Sequence, residues 1–203
     1  VKYFTYNKDI KEIIYKNTQY TSRSEKIMFN QLLRTNKVIA FILTFIRLYL
    51  GYTWFTGGIH KLTGGFDAGG FLQGAIAKST GDNPTVQGWW ATFLENAALP
   101  SVNFFNVLIP LGETLVGLGL ILGMFTTFAA LMAMIMNSAF LLSGTISTNV
   151  QMLLMEMFIV VAAANGGRIG LDRWVIPYLR NLFPHMGKRP ISKLPHLESK
   201  GAM

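Results

Sequence analysis

The sequence predicts an all-α protein: an integral membrane four-helix bundle with an outer loop of short amphipathic helices between spans 1 and 2. Three observations predict it. Apolar residues make up 51% of the 203 positions and charged residues only 14%, against roughly 25% charged in an ordinary soluble domain. The apolar residues gather in four runs close to the roughly 20 residues that a bilayer-crossing helix needs. The basic residues lie outside those runs. The net charge of +8 therefore reads as membrane topology, and no nucleic-acid partner is expected.

The first run is Val38 to Gly57. It is too long for a typical signal-peptide core, and no small-residue cleavage site follows it, so it is read as a retained span. The second is Phe104 to Gly123, the third Phe125 to Ser143, and the fourth, shorter, Val150 to Gly166. Lys and Arg crowd the chain before the first run and after the fourth. Between the first and second stand only Lys61 and Lys78, and the two later turns have none. A multi-pass membrane protein with both termini in the cytoplasm follows from that bias.

Residues 1–27 form a basic polar tail without a periodic core. Met28 is the expected native start, or the tail is accessory. The membrane domain takes residues 28–183, and residues 184–203 form a proline-containing cytoplasmic tail. Within the long loop Gly58 to Asn103, two amphipathic pieces stand out, around Phe71, Leu72, Ala75 and Ile76 and around Trp89 to Leu94. They read either as a cover over the outer mouth of the bundle or as a passive interfacial anchor. Gly57-Gly58 and Gly64-Gly65 read as helix-end or turn glycines. Asp172 to Phe183 mixes aromatic and basic residues as an interfacial segment does.

Charged residues inside a span cost about 2.5–3.5 kcal/mol on insertion scales, so they face the interior and find partners. In the first run Thr44, Arg47, Gly51, Trp54, Gly58 and Lys61 recur at steps of three or four and form one helical stripe, with His60 beside it. Glu113 in the second run is placed at a depth similar to that of Arg47, and the two are expected partners. That pair either fixes helix register or takes part in chemistry. Pro110 is a candidate kink, and Gly112, Gly117, Gly119 and Gly123 permit close helix approach. Asn137 lies on a face with Thr126, Ala130 and Ala133, suited to bonding across helices. Glu156 in the fourth run has no second intramembrane cation. Either Arg47 serves both carboxyls, or one is protonated, or Lys61 or His60 reaches it. Glu156 and His60 are thus candidates for proton transfer, with a head-group-level surface histidine as the other reading of His60.

The chain has no cysteine. This excludes disulfides, iron–sulfur clusters, thiolate zinc sites and covalently attached haem within it. No phosphate-cradling glycine loop or HExxH zinc motif is present. His60 alone lies near a span, so no haem, flavin or metal site is evident. A diffusible quinone, menaquinone or ubiquinone, is the redox carrier such a chain could use. A quinone pocket needs apolar walls and a few polar groups that bond the carbonyls and handle protons. Trp54, His60, Glu113, Asn137 and Glu156 could supply them.

Arg47-Leu48-Tyr49-Leu50-Gly51, Gly58-Ile59-His60-Lys61-Leu62, Glu113 with Gly117 and Gly123, and Gly167-Arg168-Ile169-Gly170-Leu171-Asp172 together resemble the DoxX family of four-span membrane proteins, related to the DoxD subunit of thiosulfate:quinone oxidoreductase. The likeness runs from about Met28 to Phe183. It implies a subunit of quinone-linked redox metabolism, thiosulfate:quinone oxidoreductase-like. The resemblance implies a bacterial plasma membrane and carries over Arg47, His60, Lys61 and Glu113 as the site. Joined to the reading of the buried polar residues above, the catalytic set is Arg47, Glu113, His60 and Glu156, and the substrate- or quinone-binding set is Trp54, Lys61 and Asn137. The expected partners are the lipid bilayer, a second redox subunit and further copies of the chain. The alternative is a non-catalytic membrane subunit that binds lipid or a partner protein. A small-molecule transporter is a third reading, disfavoured by four spans without an inverted repeat.

Overall fold

Asn36 starts the longest helix. Its side-chain oxygen accepts hydrogen bonds from the backbone N–H groups of Val38 (2.8 Å) and Ile39 (3.3 Å), satisfying donors that the first helical turn leaves free. The computed structural model describes residues 28–182; the tails read from sequence at 1–27 and 184–203, with His185 and His196, lie outside them. Residues 28–35 form α1, and Asn36 separates it from α2, Lys37–Thr63. Gly64 caps α2 and Gly65 follows with φ of +70°, as a turn glycine does. Gly57 and Gly58, in contrast, lie inside the helix. The sequence reading takes them as helix-end or turn glycines, but Gly58 is buried against Thr114 and Pro110. It is kept bare by a neighbour and does not end the helix.

The connection to the next long helix carries α3, Ala68–Ala77, and α4, Gly88–Phe93, which runs on into a π turn at Leu94–Ala98. These are the two short helices expected there. Asp67 caps α3 by accepting from Gly69 N–H at 3.0 Å. Asn106 binds the same junction, accepting from Ala68 N–H at 2.7 Å and donating to Asp67 Oδ1 at 3.2 Å. Leu72, Ala75, Leu94 and Ala98 then bury one another in a small core of their own.

α5, Val102–Leu122, runs through Pro110, whose carbonyl accepts from the Thr114 hydroxyl at 2.8 Å. Gly123 ends it with φ of +64°, and Met124 N–H returns to Gly119 O at 3.0 Å, a left-handed helix stop. α6 is Thr126–Leu142. α7 is Asn149–Ala162, extended by a 3-10 turn at Ala163–Asn165, and α8 is Asp172–Leu182. No strand occurs among the described residues.

α2 packs along α5 and touches α7, while α6 packs against α5 and α7. Glycines bring α2 and α5 close: a Cβ on Gly51 would meet Ile121, and one on Gly117 would meet the backbone of Phe55. The buried core joins Leu43, Leu50, Trp54, Leu120, Ala130 and Ile159. The outward faces are apolar as well. Phe41 and Phe45 of α2, Val107 and Leu115 of α5, Phe128 and Ile135 of α6, and Leu154 and Phe158 of α7 are all exposed. A water-soluble surface rarely shows apolar faces on every long helix, whereas lipid-facing helices require them. Two helices, α2 with 27 residues and α5 with 21, are long and apolar enough to cross a bilayer. The third and fourth runs form shorter apolar helices, α6 with 17 residues and α7 with 14.

Candidate functional site

Polar side chains collect on the inward faces of these apolar helices, in three separate places. The first is where α2 ends. Lys61 Nζ donates to Glu113 Oε2 at 2.6 Å. The Glu113 carboxyl lies against Gly57, one turn before Lys61 on α2, where a Cβ would come into van der Waals contact with it at 3.5 Å. Glu113 is buried while the Lys61 side chain keeps 30% exposure, so the pair links a closed carboxylate to the outside. Lys61 also faces the Phe66 ring, 5.8 Å from its centroid.

This geometry corrects the expected Arg47–Glu113 partnership. α2 and α5 are joined by a long connection, so nothing local fixes their register. The glycine contacts do, and they set Gly58 beside Thr114 and Gly51 beside Ile121. Arg47 and Gly57 are ten residues apart on α2, roughly 15 Å along a helix, so Glu113 and Arg47 sit at different levels.

The second place lies deeper. Glu156 of α7 accepts from Trp54 Nε1 of α2 at 2.8 Å and from Asn137 Nδ2 of α6 at 2.8 and 3.0 Å. Glu156 and Asn137 are fully buried. Three helices are thus tied by one carboxyl. Of the sequence alternatives for Glu156, those that gave it Arg47, Lys61 or His60 as a partner are not met. The groups that reach it are an indole and an amide, and the protonated-carboxyl alternative is untouched by these contacts. Trp54 stacks near Phe140 at 6.4 Å, and Phe140 meets Phe71 of α3 edge-on at 5.9 Å. The short helices of the connection therefore rest on this end of the core. Trp90 Nε1 of α4 adds a bond to Ser143 Oγ at 3.0 Å.

The third place surrounds Arg47, which is buried. Its Nη2 donates to Ile169 O at 2.8 Å. A Cβ on Gly123 or Gly170 would strike its guanidinium. Beside it Asp172 accepts from Phe125 N–H at 2.7 Å and Thr126 N–H at 2.9 Å. It thereby caps α6 where Phe125 is held at φ of +50°. The sequence reading placed Asp172 at the start of an interfacial segment and missed this contact, because its partner lies 47 positions away. The signal available was the run of glycines around it. His60 is exposed on α2 and is not brought into any of the three groups by the contacts described.

An apolar groove of about 570 Å³ runs between α5 and α6, lined among others by Ile109, Gly112, Met136 and Phe140. Gly112 directly precedes Glu113 in α5.

The DoxX family model matches residues 42–145, a span that contains Arg47, Trp54, His60, Lys61, Glu113 and Asn137. The chain belongs to the DoxX family. The DoxX match takes in α2 from its second turn, both short helices, α5 and α6. It does not reach Glu156 or the Gly167–Asp172 segment, so the likeness is shown over a shorter stretch than the sequence motifs suggested. No curated protein and no solved structure matches the chain. With this family and with apolar outer faces on its helices, the chain is a membrane protein of the DoxX type.

Proposed function

We propose that this DoxX protein is a four-span helical bundle of a bacterial plasma membrane, with both termini in the cytoplasm. In this reading it serves quinone-linked redox metabolism as a membrane subunit, in the manner of thiosulfate:quinone oxidoreductase. The observation that carries the reading is the Lys61–Glu113 pair. Reducing a quinone to a quinol takes up two electrons and two protons. The electrons come from a donor such as thiosulfate, handled by a partner subunit. The protons need a group that is open to water at one end and closed at the other. Lys61, partly exposed and 2.6 Å from a buried carboxylate, has that form. The apolar groove beside Gly112 offers walls for an isoprenoid tail.

The arrangement assigns the lysine ammonium to the quinone oxygen and Glu113 to holding or relaying the proton. Arg47, at another level, is a structural joint in this reading. Glu156, Trp54 and Asn137 support the core behind the site. The test is organic extraction of the detergent-purified protein with quantification of menaquinone and ubiquinone. Stoichiometric quinone in the wild type, lost in Glu113→Gln and Lys61→Met variants that still fold, supports the reading. Phospholipid alone in every sample overturns it.

A second reading is favoured by a specific observation: both Glu156 oxygens are taken up by Trp54 and Asn137. A carboxyl so engaged can serve to fix helix register. The chain would then be a non-catalytic subunit that binds lipid or a partner protein, and a stoichiometric protein partner without quinone would support that role.

A further inference from the structure

Among the described residues, a concentration of charge lies away from the Lys61–Glu113 pair, beside α8. A pocket of about 650 Å³ opens there between the start of α2, the 164–169 segment and α8. Its rim carries Lys37, Arg168, Arg173 and Arg180, and its one acidic residue is Asp172. Four cations thus face one carboxylate, and both oxygens of that carboxylate are already bound to the start of α6. Arg47 lies behind the floor, donating to Ile169 O, and adds its charge to the same field. One of the cations is fixed by a hydrogen bond: Arg168 Nη1 donates to Thr35 O at 2.8 Å. Arg173 follows the anchored Asp172 in the first turn of α8.

α8 itself is two-sided. Trp174, Tyr178 and Leu182 are exposed apolar groups on it, while Arg173, Ile176 and Arg180 line the pocket. A helix of this kind lies at a membrane interface with its aromatics at the level of the lipid head groups. That puts the mouth of a strongly basic pocket where phosphate esters are dense.

We infer that this pocket binds a phosphate-bearing anion, held by Arg173, Arg180, Arg168 and Lys37, with the head group of an anionic phospholipid as the source that its position at α8 favours. Arginine forks suit phosphate oxygens, and each cation near an anionic surface adds roughly a fivefold gain in affinity. The site is separate from the quinone reading and stands whether or not that reading holds.

The test uses the full chain in detergent, with native mass spectrometry counting bound lipid. Dioleoylphosphatidylglycerol, zwitterionic dioleoylphosphatidylcholine and inorganic phosphate are titrated in turn. The wild type should retain one phosphatidylglycerol more tightly than phosphatidylcholine. The Arg173→Gln/Arg180→Gln double variant, in which both side chains are exposed and the fold is checked by Tm, should lose affinity by roughly tenfold or more. Lys61→Met should leave phosphatidylglycerol binding unchanged while removing any quinone. Inorganic phosphate that binds in the wild type and not in the double variant, with no lipid preference, supports the pocket and assigns it a free phosphate source. Without such variant-sensitive phosphate binding, equal retention of both lipids or equal phosphatidylglycerol binding in wild type and double variant overturns the assignment, as does the absence of any bound phosphate species.

Discussion

Trp54 and Glu156 are joined by a 2.8 Å hydrogen bond between residues 102 positions apart in the chain. The indole is the one α2 group that reaches this carboxyl, so it decides whether α2 and α7 share a polar contact in the core. Trp54→Phe keeps the aromatic bulk and removes the donor. It should cost roughly 1–3 kcal/mol, the range for leaving a buried acceptor short of a partner. Unfolding in a denaturing detergent checks this, and Trp54→Phe combined with Glu156→Gln should cost less than the sum of the two single changes.

The Lys61–Glu113 pair makes an asymmetric prediction. Lys61→Met strands a buried carboxylate and should destabilise by roughly 1–3 kcal/mol, below the full buried-pair range because Lys61 is 30% exposed. Adding Glu113→Leu removes the stranded charge, so the double variant should be more stable than Lys61→Met alone. Strict additivity of the two changes would show that the pair contributes nothing to the fold.

Two glycines should respond with opposite signs. Gly58→Leu would drive a side chain into the backbone of Thr114 and Pro110 and push α2 off α5, at a cost of roughly 1–3 kcal/mol or more. Gly74, inside α3, has nothing within 4 Å of its Cβ position. Gly74→Ala should stabilise by roughly 0.4–1 kcal/mol, because alanine favours the helix and narrows the unfolded ensemble. Paired unfolding measurements on the two variants decide both.

Asp67 sets a pH dependence at the start of α3. The Gly69 N–H and then the Asn106 amide stabilise its ionised form and hold its pKa below the ordinary aspartate value. A depressed folded-state pKa means that the contribution is present above the unfolded pKa and lost as pH falls through the folded one. The cap should therefore weaken below about pH 4. Hydrogen exchange at Ala68 and Gly69 should show protection falling in that window in the wild type. The same scan on Asp67→Asn should be flat relative to intrinsic exchange rates.

Much of the architecture was legible in the residues. Apolar runs located α5, α6 and α7 to within a few positions, α2 runs six residues past the expected Gly57, and the stripe through Arg47, Gly51, Trp54 and Gly58 became the buried face of α2. Asn137 bonds across helices as its isolated amide required. The pairing of charges was not legible. α2 and α5 are separated by a long connection, so their mutual register rests on glycine contacts that no local spacing records. That register gave Glu113 to Lys61 and left Arg47 to a backbone carbonyl. The third and fourth runs match α6 and α7 with its 3-10 extension closely; the backbone turn that the fourth run did not record is at Ala163, with φ of +50°.

Arg47 is gripped by the turn at Gly123 and by the Ile169–Gly170 backbone, and that arrangement has a consequence for biogenesis. A ribosome delivers residue 47 long before residue 169. The guanidinium enters the membrane with its helix while its acceptor is still unmade, and α5 and α6 come to rest around a donor that has not yet found its final partner. Arrival of the Gly167–Asp172 segment does two things at once: it gives Arg47 its carbonyl and gives α6 its carboxylate cap. A stretch synthesised after α2, α5, α6 and α7 is therefore the latch that closes the assembly. A chain truncated ahead of it would expose an unfinished seam to membrane quality control.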